Sequence, residues 1–516
     1  MRDTEVNLDF RMSKCLTKIK IKIMSKFNQT KPAQTTVTTN VAGGKAYTQT
    51  AELELVSILL TSFVQDQYYK SAGDTMNRVS ELLSNVDPKF AAKAAIYARN
   101  EFGMRSITHV LSVEIAKHIS GKPWGKKFFT EVIRRPDDMS EIIAYYFAKN
   151  KGKALPNSLK KGFAKAFDKF DNYQLAKYKG DGKDVSLVDI VNLVHPKAIE
   201  KNKTALDELI KGGLKSTDTW EAKLSQAGQK AETDEELGSL KKDAWIGLIR
   251  EKKLGYLALL RNLRNIMEQA PEALDEALAS LTNEAFIKKS LVFPFQYLTA
   301  YKQFSTMNTK ESRKIADALS DAIDISCQNV KSLNFEGNTL IAIDNSGSMD
   351  SPVNKSPHMR KSELGALFGI VLGKAVNADI MEFGDKARYI NYSLKTHSME
   401  FADKFTKGNQ VGHGTDFPSI FSTANKKYDR ILIFSDMQGW RSGGAPTSSA
   451  NTYKNKFNCD PHIYSFDLAG YGTMMFPENK VYAMAGFSEK IFTIMSLLEK
   501  DRKALINTIK NHIDLD

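Results

Sequence analysis

The stretch TLIAIDNSGSMD, residues 339–350, places one acid and two hydroxyls where they could hold a hard cation. Asp344 ends the apolar run Leu340, Ile341, Ala342, Ile343, and Ser346 and Ser348 follow at alternating positions. Oxygens spaced in this way can converge on one point. Magnesium takes oxygen ligands in octahedral geometry and keeps several waters, which suits one carboxylate with two hydroxyls. Two later loops can join the same centre. Thr415 lies in the turn GHGTD, residues 412–416, and Asp436 follows the apolar run ILIF just as Asp344 follows its own. Asp344, Ser346, Ser348, Thr415 and Asp436 are therefore the candidate metal ligands, with a divalent cation, Mg2+, as the cofactor. Alone, the acid and its serines could equally cap a turn or the next helix. Three loops in order after strand-like runs favour the metal.

Such oxygens need a buried strand that opens into a loop at its carboxyl end, the side of an open α/β sheet where ligands bind. The chain after residue 336 supplies the pattern. A helix over 361–376 is followed by the strand-like IMEF, RYINY, ILIF, HIYSF and VYAMA, and a final helix from Phe487 onward would pack on the sheet through Ile491, Ile494, Leu497 and Leu498. Strands alternating with helices predict a mostly parallel, doubly wound sheet. The D-x-S-x-S…T…D set resembles the metal-ion-dependent adhesion site of von Willebrand factor A domains. That resemblance implies that Thr415 ligates directly and Asp436 partly through water, with one position open for a partner's acidic group.

The preceding part is of another kind. Between residues 52 and 334, apolar residues recur at helical spacing, as with Leu159, Phe163, Ala166, Phe167 and Phe170, or Tyr256, Leu259, Leu260, Leu263 and Met267. Gly, Pro and Asn-Asp breaks separate these stretches. Helices that cannot bury their faces alone predict a stacked array of antiparallel pairs. Residues 215–242 are unusually polar and read as an inserted helix or an excursion. Residues 1–50, rich in Lys, Thr, Gln and Asn, read as a flexible basic and polar tail. Within them Met24 opens MSKFNQTKP, a more typical amino terminus and a candidate start. The expected domains are thus 1–50, 51–336 and 337–516.

Charge follows this division. The chain of 516 residues carries 73 Lys+Arg against 60 Asp+Glu, a formal net charge of +13. Residues 337–516 hold 21 basic and 19 acidic residues, leaving 52 against 41 for the rest. A basic helical region points to nucleic acid or another anionic partner, although excess lysine also serves solubility. Its densest segment begins with Lys160, Lys161, Lys165 and Lys169, all off the apolar stripe, and continues through Lys177, Lys179, His195 and Lys197. Lysines contact phosphates without reading sequence, and Tyr178 could stack on an unpaired base. The same lysines could simply form a solvated face. Cys15, Cys327 and Cys459 lack the spacing of a zinc site or a disulfide framework, which fits a reducing, cytoplasmic compartment. No apolar run approaches membrane-spanning length.

KYKGDGKDVSLVDIVNLVHPKA (177–198), LALLRNLRNI (257–266), LVFPFQYLTAYKQF (291–304) and the acidic loop at 339–350 fall in the order found in the Ro autoantigen family, with its TROVE module. The resemblance runs from about residue 49 to the end. It implies an α-helical HEAT-like repeat ring, closable by one chain, followed by an α/β von Willebrand factor A domain of Rossmann-like type. It further implies binding of small structured Y-like noncoding RNA on the outer surface, and of single-stranded 3′ ends of misfolded or precursor RNA through a basic hole. Bacterial-type relatives work beside exoribonucleases, notably polynucleotide phosphorylase. Lys177, Lys179 and His195 match the family's RNA surface, and Arg261 and Arg264 lie in the matching LLRNL helix. The polar tail and residues 215–242 depart from the vertebrate pattern.

The leading expectation is a non-catalytic RNA-binding scaffold in RNA quality control or turnover. The alternative is a protein-interaction module whose metal binds a partner carboxylate. A phosphohydrolase using Asp344, Asp416 and Asp436 fits less well, because Ser346 stands where a second acid would be expected, and no Walker loop or Ser-His-Asp order is present.

Overall fold

In the computed structural model of the protein the described residues are 37–40, 45–48, 50–62, 72–151, 154–215, 220–290, 292, 294–326, 336–352, 360–439, 446–469, 473–476, 480–484, 495, 498–499 and 503–516. The expected order, helical array first and α/β domain second, is the observed one. Helices follow one another from Ala51–Thr61 to Lys310–Ser326. Strands β1 (Val37–Thr39) and β2 (Lys45–Thr48) precede them; β3 (Thr339–Asp344), β4 (Asp379–Phe383), β5 (Ala387–Ile390), β6 (Arg430–Ser435), β7 (His462–Asp467), β8 (Thr473–Met474) and β9 (Val481–Met484) follow.

Some helices of the array, such as Asn157–Ala166 and Tyr256–Gln269, bury one stripe, while Ser106–Ile115 is buried on every side from Ile107 onward. The helix Pro88–Glu101 begins where Asp87 accepts from the amides of Lys89 and Phe90, with Pro88 at the first helical position. Two helices, Gly125–Glu131 and Asn157–Ala166, approach so closely that a Cβ at Gly162 would lie 2.4 Å from Phe129 Cβ. The α-helix that opens the basic segment ends at Ala166, and Phe167–Lys169 tightens into a 3₁₀ turn. Within the polar stretch 215–242 the helix Trp220–Lys230 and the start of Asp234–Arg250 are formed, and these two helices pair with Trp220 stacked on Trp245 at 6.0 Å.

A single acid fastens the early helices. Asp138, fully buried, accepts from Arg99, from Arg105 Nε at 2.9 Å, and from the amides of Arg134 and Arg135 at 3.0 Å. His109 Nε2 lies 3.1 Å from the same carboxylate. Burial opposes ionisation of Asp138, yet the His109 hydrogen bond and the Arg99 and Arg105 charges outweigh it and hold the carboxyl well below its usual range. Burial lowers His109, so the neutral ring donates its Nε2–H to Asp138.

The larger sheet runs β5-β4-β3-β6-β7-β9, and every pairing is parallel except the edge pair β4–β5. All residues of β3 and β6 are buried, as expected for central strands covered on both faces. Helix Lys361–Val376 covers one face: a Cβ at Gly369 would lie 2.6 Å from Ile343 Cδ1, so glycine lets the helix sit close to β3.

One expectation needs correction. Residues 37–40 and 45–48, read as part of a flexible tail, form β1 and β2, which pair antiparallel and continue into β8. Ala46 is fully buried in the α/β core, and Asn40 Nδ2 donates to the Gly439 carbonyl at 2.9 Å. Threonine-rich polar composition hides a strand whose partner is remote in sequence. The helix expected from residue 487 lies largely outside the described residues, and its described part meets the sheet, where the Tyr464 hydroxyl of β7 lies 3.2 Å from the Met495 carbonyl and 3.0 Å from Glu499. A further helix, Ala504–His512, packs on Pro88–Glu101, with the His512 ring edge-on to Tyr97 at 5.1 Å. Leu498 is buried as expected, while Ile491, Ile494, Leu497 and the candidate start at Met24 lie outside the described residues.

The array meets the α/β domain through ion pairs as well as packing. Lys302 pairs with Glu363, Lys374 Nζ reaches Asp324 at 3.0 Å, and Ser398 donates to Asp324 at 2.7 Å. Among the described residues no helix is long and apolar enough to cross a membrane.

Candidate metal centre and nucleic-acid interface

The chain crosses from β3 to β4 and β5 on one side and returns to β6 on the other, so a crevice opens at the carboxyl ends of β3 and β6. Asp344 ends β3 and Asp436 directly follows β6, and both are fully buried. The Ser346 amide donates to Asp344 Oδ1 at 2.9 Å, and the Ser435 hydroxyl to Asp344 Oδ2 at 2.6 Å. Ser346 and Ser348 face each other, Oγ to Oγ, at 3.3 Å. Ser346, Ser348 and Thr415 are likewise buried.

The loop that carries Thr415 is brought in by its backbone. The Gly347 amide donates to the His413 carbonyl at 2.9 Å, two residues before Thr415. Gly412 has φ +86, and a Cβ there would meet the Asp385 carboxylate, while Asp385 accepts from the Gly414 amide at 2.8 Å. Glycine at 412 is therefore required to wrap the loop around Asp385. Met437, next to Asp436, holds φ 57 and is fixed by its amide bond to Ser435 Oγ at 3.0 Å. Left-handed backbone at a residue other than Gly, Asn or Asp is uncommon and concentrates at functional loops.

Burial dominates the electrostatics of the two acids. Burial first, and the Asp436 charge second, push the Asp344 carboxyl up from its ordinary value. Burial also raises Asp436, against the pull of Lys361. Asp436 Oδ2 has no hydrogen-bond partner among the described residues. Buried carboxylate oxygens are normally satisfied by hydrogen bonds, an ion pair or a metal. Hard oxygens from two acids and three hydroxyl residues suit magnesium. Among the described residues no group of three His, Cys, Asp or Glu could hold a metal, so a site here depends on its hydroxyls, and Asp416 does not join Asp344 and Asp436 as a third acid.

Two residues escaped the sequence reading. Asp467 ends β7, is buried, and pairs in register with Ser435. Its signal was present: HIYSF runs into Asp467 as the runs before Asp344 and Asp436 do. Lys361 is 2% exposed beside Asp436 and Asp467; burial lowers its pKa while both acids raise it. A lysine at a helix start gives no sign in sequence of such burial.

The candidate RNA residues divide. Lys161, Lys177, His195 and Lys197 are exposed and Lys160 is half-buried. Lys177 Nζ lies 6.0 Å from the Tyr173 ring centre and 5.7 Å from that of Tyr178, and Arg135 stacks on Tyr178 at 4.6 Å. His195 caps the helix Leu187–Val194 with φ 47. Lys165 is instead tied to Asp168, Lys169 to the Thr130 carbonyl and Glu131, and Lys179 to the Leu214 carbonyl and Asp181. Arg261 is exposed, whereas Arg264 pairs with Glu268 at 2.8 Å. Arg135 and Tyr173 were not singled out from sequence, because their approach to Tyr178 and Lys177 depends on how the helices pack.

Comparison with known proteins gives a consistent placement. The TROVE domain profile matches residues 9–215 and 210–343, and the Ro60 vWA domain profile matches residues 338–498. The chain is 22% identical over 351 residues to mouse telomerase protein component 1, covering 51% of this chain and 13% of that protein. Rat telomerase protein component 1 is 25% identical over 139 residues, 25% of this chain and 5% of its own length. The chain thus spans a small part of these relatives. The crystal structure of the Deinococcus radiodurans Ro (RSR) protein superposes with a TM-score of 0.56 at 18% identity, covering 86% of this chain and 99% of that one. At that identity the likeness speaks to the fold.

Proposed function

The chain belongs to the Ro family of TROVE-domain proteins, and from that premise we propose that it is a non-catalytic RNA-binding scaffold. Its RNA would be small, structured and noncoding, of the Y-like class, together with single-stranded 3′ ends of misfolded or precursor RNA. The observation that carries this reading is the unbroken order of the TROVE and Ro60 vWA matches, from residue 9 to residue 498. The exposed cations Lys161, Lys177 and Lys197 supply phosphate attraction, and Tyr173 and Tyr178 beside Lys177 offer rings to unpaired bases. Such a scaffold works in the cytoplasm as a single chain and passes RNA to an exoribonuclease of the polynucleotide phosphorylase type.

Asp344, Ser346, Ser348, Thr415 and Asp436 would hold Mg2+ in the α/β domain. The bound ion supplies a Lewis-acidic position for an acidic group of a protein partner. The orphaned Asp436 Oδ2 favours this second role alongside RNA binding. A phosphohydrolase fits less well, because Ser346 stands where a second acid would be expected after Asp344.

Purification from the native host at moderate salt, followed by sequencing of the bound RNA, tests the reading. A discrete stem-loop RNA or precursors with unpaired 3′ ends are expected. Absence of RNA, with a control RNA-binding protein recovering its own, overturns it.

A further inference from the structure

Lys361 is the first residue of the helix Lys361–Val376 and one of the most buried cations in the chain. Its amide donates to the Ser351 carbonyl at 3.1 Å, and the Ser351 hydroxyl donates to the Ser348 carbonyl at 2.8 Å. The helix therefore starts against the far end of the loop that carries Ser346 and Ser348. The ammonium lies in the field of Asp436 and Asp467, which the parallel register of β6 and β7 sets on neighbouring strand ends. A buried ammonium is costly unless carboxylates face it, and a buried carboxylate is costly unless a cation faces it.

We propose that Lys361 is a tethered counter-cation to Asp436 that competes with the divalent ion for that carboxylate, and that Asp467 receives the ammonium when the ion binds. The inference rests on the metal reading above and adds to it what sets the affinity of the site. In the ion-free protein Lys361 supplies the positive charge that Asp436 lacks from hydrogen bonding at Oδ2. A dication shared by Asp344 and Asp436 repels the ammonium, because like charges in a dry site interact strongly. Asp467, already fixed by the Ala469 amide at 3.0 Å, remains as its partner, so ion binding leaves no charge stranded. Chain connectivity keeps Lys361 at the site in every molecule. The cost of displacing it is therefore paid at each binding event, and the site is weaker than its oxygens alone would make it.

The test is titration of the full chain with Mg2+ by calorimetry and with Mn2+ by electron paramagnetic resonance, using wild type, Lys361→Met, Lys361→Arg and Asp467→Asn. Lys361→Met is expected to tighten both ions at least tenfold, Lys361→Arg to stay within about threefold of wild type, and Asp467→Asn to weaken both. Circular dichroism and a denaturation midpoint establish that each variant is folded. Wild-type affinity in folded Lys361→Met overturns the proposal and leaves the metal site standing. If Lys361→Met does not fold, unchanged affinity in Asp467→Asn overturns it instead. Failure of all folded proteins to bind either ion overturns the metal reading and this inference together.

Discussion

Ser435 reaches across the parallel pairing of β3 and β6 to place its hydroxyl 2.6 Å from Asp344 Oδ2. The same oxygen, Ser435 Oγ, accepts the Met437 amide, so one side chain sets both the acid of the first loop and the backbone of the third. Ser435→Ala should lower stability by about 1.5–3 kcal/mol, the usual range for a hydrogen bond to a charged group. A urea midpoint equal to that of wild type would show that Asp344 does not depend on this hydroxyl.

Asp138 serves the helical array in a comparable way. Replacing it with Asn keeps the shape but leaves Arg99 and Arg105 facing a neutral group. A loss of about 3–5 kcal/mol is expected, as for other broken buried ion pairs. Differential scanning calorimetry of Asp138→Asn reads this directly, and a melting temperature within 2–4 °C of wild type, about 1 kcal/mol or less, would contradict it.

Acid should act through the same cluster. Folding lowers both Asp138 and His109. For each, the unfolded chain binds protons first on acidification, so the stabilisation is complete at neutral pH and is lost as pH falls. The His109 part disappears below its ordinary value of 6.5, and the Asp138 part below 3.8. Denaturation midpoints from pH 7.5 to pH 4 should decline, and His109→Gln should flatten the upper half of that decline.

Gly369→Ala tests how closely the helix Lys361–Val376 must sit on β3. The added methyl would meet Ile343 Cδ1 at 2.6 Å, and overpacking of this kind costs about 1–3 kcal/mol. The residue before Asp344 would be displaced as well. A loss of thermal stability is expected, and an unchanged melting curve would mean that Ile343 turns aside without cost.

For RNA, the structure separates exposed lysines from engaged ones. Lys177→Glu should weaken binding across sequences and reduce the salt slope by about one phosphate contact. Lys179→Glu should also cost stability, because Lys179 holds the Leu214 carbonyl. Filter binding from 50 to 300 mM salt, beside a denaturation curve for each variant, distinguishes the two. Equal affinity in Lys177→Glu and wild type would remove this face from the RNA surface.

Local pattern made the loops of the candidate site readable. Apolar runs ending in Asp344 and Asp436 mark strand ends, and the alternating serines follow the same local logic. Asp467 ends a third such run, yet without hydroxyls after it nothing ties it to the others until β6 and β7 pair. The burial of Lys361 and the capture of Lys179 by Leu214 arise from tertiary packing, which side-chain type alone does not encode. The same holds for β1 and β2: their residues are polar, and the strand they join lies near the opposite end of the chain.

That pairing bears on how the protein is made. The segment containing β1 and β2 leaves the ribosome before the helical array, whereas β8 emerges only after the array and most of the α/β strands. Asn40 has no Gly439 carbonyl and Ala46 no α/β core until the chain after the array is made, and β2 has no second partner until β8 follows. Domains form largely in the order they are synthesised, and pairings distant in sequence form slowly. The α/β core is therefore completed late, around an insertion that includes the whole helical array, and in a nascent chain halted before residue 473 the β1–β2 pair would have one edge open where β8 belongs.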